Sequence, residues 1–114
     1  MGGLVTIGDV KLLPVVVESA QPKALRELMD DLRSKLPSGV VFLASPSAAE
    51  GKVAFLVAVS KDLHGRFTAP DLVKTVGPLL GGAGGGRPDL AQAGGINPDG
   101  VAAAIDALKA RLAQ

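Results

Sequence analysis

Seven consecutive residues, Val53-Ala54-Phe55-Leu56-Val57-Ala58-Val59, carry no polar side chain, and Val40-Val41-Phe42-Leu43-Ala44 repeats the pattern nearby. Short uninterrupted apolar runs rich in β-branched residues read as strands buried in a sheet. Pro46, Ser47 and Gly51 separate the two runs, and so short a turn-rich connection suits adjacent antiparallel strands. Val15-Val16-Val17, within residues 11–18, predicts another strand, and residues 4–7 predict an edge strand ahead of Gly8-Asp9.

Between these runs the period changes. Leu25, Leu28, Met29, Leu32 and Leu36 fall at i, i+3, i+4, i+7 and i+11, with Lys23, Arg26, Glu27, Asp30 and Arg33 on the opposite side, which predicts an amphipathic helix. Pro22 near its start and Pro37-Ser38-Gly39 past its end are the expected punctuation. A second helix is predicted from Thr68–Asp71 onward, carrying Leu72, Val73, Val76, Leu79 and Leu80 on one side and kinked at Gly77-Pro78. A third is predicted to start at Asn97-Pro98-Asp99, with Asn97 as N-cap, and to align Val101, Ile105, Leu108 and Leu112. The fold class is therefore α/β: a small mixed sheet of three to four strands flanked by about three helices, with a glycine-rich loop before the last helix.

At 114 residues the chain reads as a single domain over 1–114. Twelve Lys and Arg against eleven Asp and Glu give a net charge of +1, which excludes the basic excess of a nonspecific nucleic-acid coat. Three Phe and no Tyr or Trp argue against the aromatic stacking platforms of single-strand binders. The apolar runs fall short of the roughly 20 residues of a membrane span. The N-terminus has no export pattern and there is no cysteine, so the expected compartment is the cytoplasm, with no disulfide or thiolate-metal scaffold.

Core building does not account for residues 81–95, where seven of the 15 glycines fall within 15 positions. Each glycine adds backbone entropy that ordering removes. A flexible linker is Gly/Ser-rich throughout, whereas this segment passes into Arg87-Pro88-Asp89-Leu90-Ala91-Gln92-Ala93-Gly94-Gly95. That favours a loop held so that its backbone approaches a ligand. The dinucleotide pattern G-x-G-x-x-G fails at Arg87 or Asp89, depending on the starting glycine. The phosphate-loop pattern fits at Gly81 and Gly86, but Arg87-Pro88 replaces its Lys-Ser/Thr. What remains is a backbone-lined surface with a cation, Arg87, suited to a phosphate or base edge, and an amide, Gln92.

Gly-Gly-Arg-Pro-Asp at residues 85–89, followed by Ala-Gln-Ala-Gly-Gly at 91–95, resembles the signature of the DHHA1-type C-terminal domain of alanyl-tRNA synthetases. The likeness extends to Leu25-Arg26-Glu27-Leu28 and residues 30–33 as that family's first helix, residues 57–63 as its last strand and exit, and Asp71-Leu72-Val73-Lys74 as the helix leading into the glycines. It covers the chain from about Leu12 to the end. The resemblance implies a module without an active site or cofactor that docks on the elbow of tRNA and helps the aminoacylation and editing domains of one enzyme act on the same acceptor end. Related phosphodiesterases of the DHH superfamily carry a histidine after the glycines where this chain has Arg87, and that departure counts against a substrate-binding domain of a nuclease, the alternative reading. The family enters this domain through a long helix associated with dimerisation, whereas only about ten residues precede Lys11; residues 1–10 are open to reading as the remnant of a preceding segment. Dimerisation stays open, and a protein-interaction module is the third reading.

With this resemblance the candidate tRNA-binding residues are Gly84, Gly85, Gly86, Arg87, Gln92, Gly94 and Gly95, with Lys61 and Lys74 flanking them as phosphate contacts. The glycines would present a flat surface on which a base pair can pack. Asp89 is expected to orient Arg87 or to cap backbone N–H groups. His64, the one histidine, lacks a second histidine or a cysteine for a zinc site. No G-x-S-x-G elbow accompanies it, so no catalytic residue is assigned.

Overall fold

The expected strands form, and two more join them. The computed structural model describes residues 4–8, 10–18, 21–36, 38–47 and 49–113, with the backbone alone at Pro22 and Ala83. In chain order the elements are β1 (Val5–Ile7), β2 (Val10–Val16), α1 (Pro22–Lys35), β3 (Val40–Ser47), β4 (Lys52–Val59), α2 (Ala69–Leu80), β5 (Ala83–Arg87), β6 (Leu90–Gly95) and α3 (Val101–Leu112). They build one sheet in the order β1-β2-β3-β4-β6-β5. Only β2 and β3 pair parallel, with α1 as their crossover; every other pair is antiparallel.

Side-chain alternation divides the core. Val40, Phe42 and Ala44 of β3 with Val53, Phe55, Val57 and Val59 of β4 point to one face, where α2 and α3 supply Leu72, Val73, Val76, Leu80, Ala104, Leu108 and Leu112. Val41 and Leu43 with Leu56 and Ala58 point to the other, where α1 lays down Leu25, Met29 and Leu32. Both faces of the central strands are thus covered, which is why their sequences show no polar alternation. Phe42 and Phe55 pack with ring centroids 6.4 Å apart at a tilt of 49°.

Three expectations need correction. Residues 81–95 are not a loop: most of them form the hairpin β5–β6, which raises the sheet from the expected three or four strands to six. Glycine conceals the two-residue period of a strand because it has no side chain to alternate, and the decisive partner is the backbone of β4, against which Leu90–Gly95 pairs from Ala58 to Val53. Asn97 does not cap α3. Its amide nitrogen donates to the Leu79 carbonyl at 2.8 Å and its backbone N–H to the Leu80 carbonyl at 2.9 Å, so it serves the carbonyls that α2 leaves without donors, and a 3-10 turn (Pro98–Gly100) intervenes before α3. Leu79 is exposed rather than buried. The helix α2 is continuous through Gly77 and Pro78 and ends at Gly81, whose φ of +69° is the left-handed conformation that a glycine C-cap adopts.

Candidate nucleic-acid interface

The hairpin β5–β6 is tied down at both ends. At its turn, the Val59 N–H donates to the Asp89 carbonyl at 3.0 Å and the Ala69 N–H to the Pro88 carbonyl at 2.9 Å, joining it to the end of β4 and the start of α2. The Asp89 carboxylate takes a hydrogen bond from Arg33 Nη2 of α1 at 3.1 Å and has Arg87 Nε at 3.7 Å. Burial alone would raise the Asp89 pKa, but the Arg33 hydrogen bond, a backbone hydrogen bond and the nearby Arg87 charge together hold it below the usual carboxylate value. At the other end the hairpin presses against the end of α2.

The glycines answer two different demands. A Cβ on Gly95 would collide with the Leu80 carbonyl and one on Gly82 with the Gly94 carbonyl; at Gly84 it would strike the backbone and side chain of Ala93, and at Gly86 it would lie 2.6 Å from the Leu90 carbonyl. Packing alone explains these four. Gly85 and Gly94 are different: a Cβ at Gly85 meets nothing within 4 Å, and one at Gly94 meets only the Val53 carbonyl, 4.0 Å away. Neither has a positive φ. Both are exposed, and the register puts them on the α1 side of the sheet, with Gly85 opposite Gln92 and Gly94 two residues beyond it on β6.

That side also carries the cations. Gln92 Oε1 accepts from Arg26 Nε at 3.2 Å and Arg26 Nη2 at 2.9 Å, which fixes the amide and turns its nitrogen, unbonded among the described residues, away from Arg26. Arg26, Asp30, Gly85, Gly86, Arg87 and Gln92 line one open hollow of about 370 Å³. The Arg87 side chain is 76% exposed. Such a surface offers guanidinium groups for phosphate or base edges beside bare peptide planes onto which a flat ring can pack without intruding side chains.

The expected residues do not all meet there. Gly85, Arg87, Gln92 and Gly94 share this side, and Gly84 and Gly86 face the other side of the sheet while lying exposed along the edge strand. Gly95 is buried against α2 and does not contribute to the surface, a correction that follows from its contact with the Leu80 carbonyl. Lys61 lies in a 3-10 turn (Lys61–Leu63) beside Arg33 and Asp89 in a cleft of about 680 Å³ at the end of β4. Lys74 sits on α2, on the opposite side of the sheet from Arg87, so the two lysines do not converge on one spot. Arg26 and Arg33 were not among the expected residues: at i and i+7 on the polar side of α1 they read as solvated, and the partners they contact, Gln92 and Asp89 of the hairpin, are more than 50 residues away in the chain.

Asp89 fulfils its expected structural role. His64 lies with Nε2 3.1 Å from the Val59 carbonyl. Among the described residues no three His, Cys, Asp or Glu side chains converge to hold a metal ion, and no helix is long and apolar enough to cross a membrane.

Residues 9–114 match the family model of the DHHA1 domain. The chain is 54% identical over 110 residues to the alanine–tRNA ligase of Oleidesulfovibrio alaskensis, covering 96% of this chain and 12% of that protein. It is 57% identical over 104 residues to that of Nitratidesulfovibrio vulgaris, covering 90% and 12%. It therefore spans about 12% of the length of these curated relatives. Its structure superimposes on the C-Ala domain of Aquifex aeolicus alanyl-tRNA synthetase with a TM-score of 0.89 at 39% identity, covering 97% of this chain and 98% of that domain.

Proposed function

Because the chain belongs to the DHHA1 domain family and, within it, with the C-Ala domains of alanyl-tRNA synthetases, we propose that it is a noncatalytic tRNA-binding module of a cytoplasmic alanine–tRNA ligase. It docks on the elbow of tRNA through the α1 side of the hairpin β5–β6 and so supports aminoacylation and editing by the catalytic domains of the parent enzyme. The observation that carries the reading is the pair Gly85 and Gly94, which the fold does not require to be glycine and which lie bare beside Gln92. Peptide planes there accept the face of a base pair, while Arg26 and Arg87 meet phosphates at its margin.

A contact of three to five phosphates gives a slope of log affinity against log salt of about −3 to −4.5. The affinity of the module alone is modest, because in a full-length ligase other tRNA contacts add avidity. Fluorescence anisotropy against full-length tRNA and an acceptor-stem minihelix without the elbow tests the proposal. Preference for the full tRNA, reduced by Arg87→Ala and by Gly85→Val, is the expected result. Equal binding of both RNAs, or of neither, overturns it.

A further inference from the structure

A second hollow opens on the α1 side of the sheet, beside the one at Gly85. It measures about 310 Å³ and lies where the start of α1 meets β4 and β6. Leu25, Ala54, Leu56 and Gly94 give it apolar or bare surface, and the polar side chains that line it are Arg26 and Gln92. The register sets Gly94 directly opposite Ala54, so the floor there is a glycine beside an alanine, low enough for a flat ring to rest on the sheet. Arg26 and Gln92 line both hollows and are hydrogen-bonded to each other, so the pair stands as a wall with Gly85 on one side and Gly94 on the other.

The chemistry of that wall is one-sided. A guanidinium has donors and no acceptor, so an amide that meets it must turn its oxygen inward. Gln92 Oε1 takes both hydrogen bonds from Arg26, which occupies its lone pairs, and the Nε2 group is left facing out with both N–H free to donate. Arg26 keeps further N–H groups at its tip. Its partner is also neutral. Arg33 and Arg111 are held by the carboxylates of Asp89 and Asp71, which offset their charge, whereas an amide oxygen fixes the guanidinium of Arg26 and leaves its charge whole. Asp30 lines the Gly85 hollow but not the Gly94 hollow, so among the described residues no side chain lining the latter offers a free acceptor.

We propose that the Gly94 hollow is a base-binding subsite that selects a guanine by the two acceptors, N7 and O6, of one edge. The ring rests on Gly94 and Ala54, N7 accepts from Gln92 Nε2, and O6 accepts from a free N–H of Arg26. A glutamine ordinarily pairs with adenine by giving a donor to N7 and an acceptor to the N6 amino group. With Oε1 taken by Arg26 that pairing is closed, and the amino group of an adenine or a cytosine would face donors. On the major-groove edge of a base pair, guanine is the base that offers two acceptors and no donor. Arg26 is thus both a contact and the residue that positions Gln92. The inference rests on the tRNA-binding reading and deepens it by naming the base edge that the glycine surface recognises.

The test uses tRNA transcripts sparsely substituted with 7-deazaguanosine, which replaces the N7 acceptor with C–H, partitioned by binding to the whole chain. The unaltered chain discriminates against the analogue at one guanosine of the elbow. Gln92→Leu lowers tRNA affinity about tenfold, leaves the salt slope unchanged because no charge is lost, and erases the interference at that guanosine. Arg26→Lys keeps the charge but cannot grip the amide oxygen with two N–H groups of a fixed fork, so the slope stays and the interference weakens. Both side chains are exposed, and circular dichroism confirms that each variant is folded. Absence of interference in the unaltered chain, or interference that persists in Gln92→Leu, overturns the subsite, while preference for full-length tRNA over the minihelix, reduced by Gly85→Val, keeps the tRNA-binding reading in place. Undiminished interference in Arg26→Lys overturns the positioning role of Arg26. Equal binding of both RNAs, or of neither, overturns the underlying reading and the subsite with it.

Discussion

The strands β3–β4 and β5–β6 belong to one sheet but owe their place in it to opposite physical causes. In β3–β4 nearly every side chain is buried, Phe42 and Phe55 completely, and the pairing is held by apolar surface taken from water on both faces. In β5–β6 there is little side chain to bury. The hairpin stands on backbone pairing with β4, on the absence of Cβ atoms where it meets α2, and on polar ties at its turn. The first pair is a core; the second is a surface that the core holds in place, so substitutions in the first are expected to cost the most stability, and substitutions in the second to cost it only where a side chain would meet packed backbone.

Truncation is the largest way to break that contrast. Phe55→Ala, at a position with no exposure, is expected to cost about 3–5 kcal/mol, read by chemical denaturation with circular dichroism since the chain has no Trp or Tyr. Gly95→Ala is next. Its methyl group collides with the Leu80 carbonyl, a rigid backbone atom at the end of α2, and a loss of about 2–3 kcal/mol is expected from the forced shift; a stability within 0.5 kcal/mol of wild type would mean the hairpin and α2 separate easily.

The tie from Asp89 to α1 is smaller, because both partners are partly exposed, 35% for the Arg33 side chain and 26% for Asp89. A double-mutant cycle of Asp89→Asn with Arg33→Gln should return a coupling of about 1 kcal/mol or less, and high salt should diminish it. Its pH dependence follows from the depressed pKa of Asp89. A carboxylate more acidic folded than unfolded stabilises fully above its unfolded pKa, so the contribution is present at neutral pH, begins to fall as pH drops through the ordinary value of 3.8, and is lost once the folded group is protonated. Asp89→Asn should remove that part of the acid dependence in urea titrations followed at several pH values. The smallest stability effect belongs to Gly85→Ala, where the methyl group finds open space. The change should be neutral or stabilise by up to about 1 kcal/mol through the unfolded chain, while tRNA affinity falls. A stable variant with undiminished affinity would detach the glycine surface from RNA binding.

Legibility in the sequence followed the same division. The strands at 40–47 and 52–59 and their pairing were readable because uninterrupted apolar runs of strand length, joined by a short turn-rich link, mark a sheet covered on both faces, and the helix at 22–35 because its apolar side chains recur with the helical period. The family was readable from residues 85–95 and the helices around them. The hairpin was not, since glycine shows no period, and neither was the role of Arg26, whose contact with Gln92 lies 66 residues along the chain. Asn97 misled for a related reason: its position before Pro98 suits an N-cap, but its amide nitrogen donates to the Leu79 carbonyl at the end of α2 and a 3-10 turn separates it from α3.

By itself the sequence determined which segments seek the interior and which glycines are clustered, because burial and backbone freedom are properties of each residue. Only the tertiary structure decided which of those glycines the packing requires. A Cβ on Gly82, Gly84, Gly86 or Gly95 would strike atoms brought from β6 or the end of α2, while one on Gly85 or Gly94 would meet almost nothing, and that distinction depends on neighbours that no local pattern names.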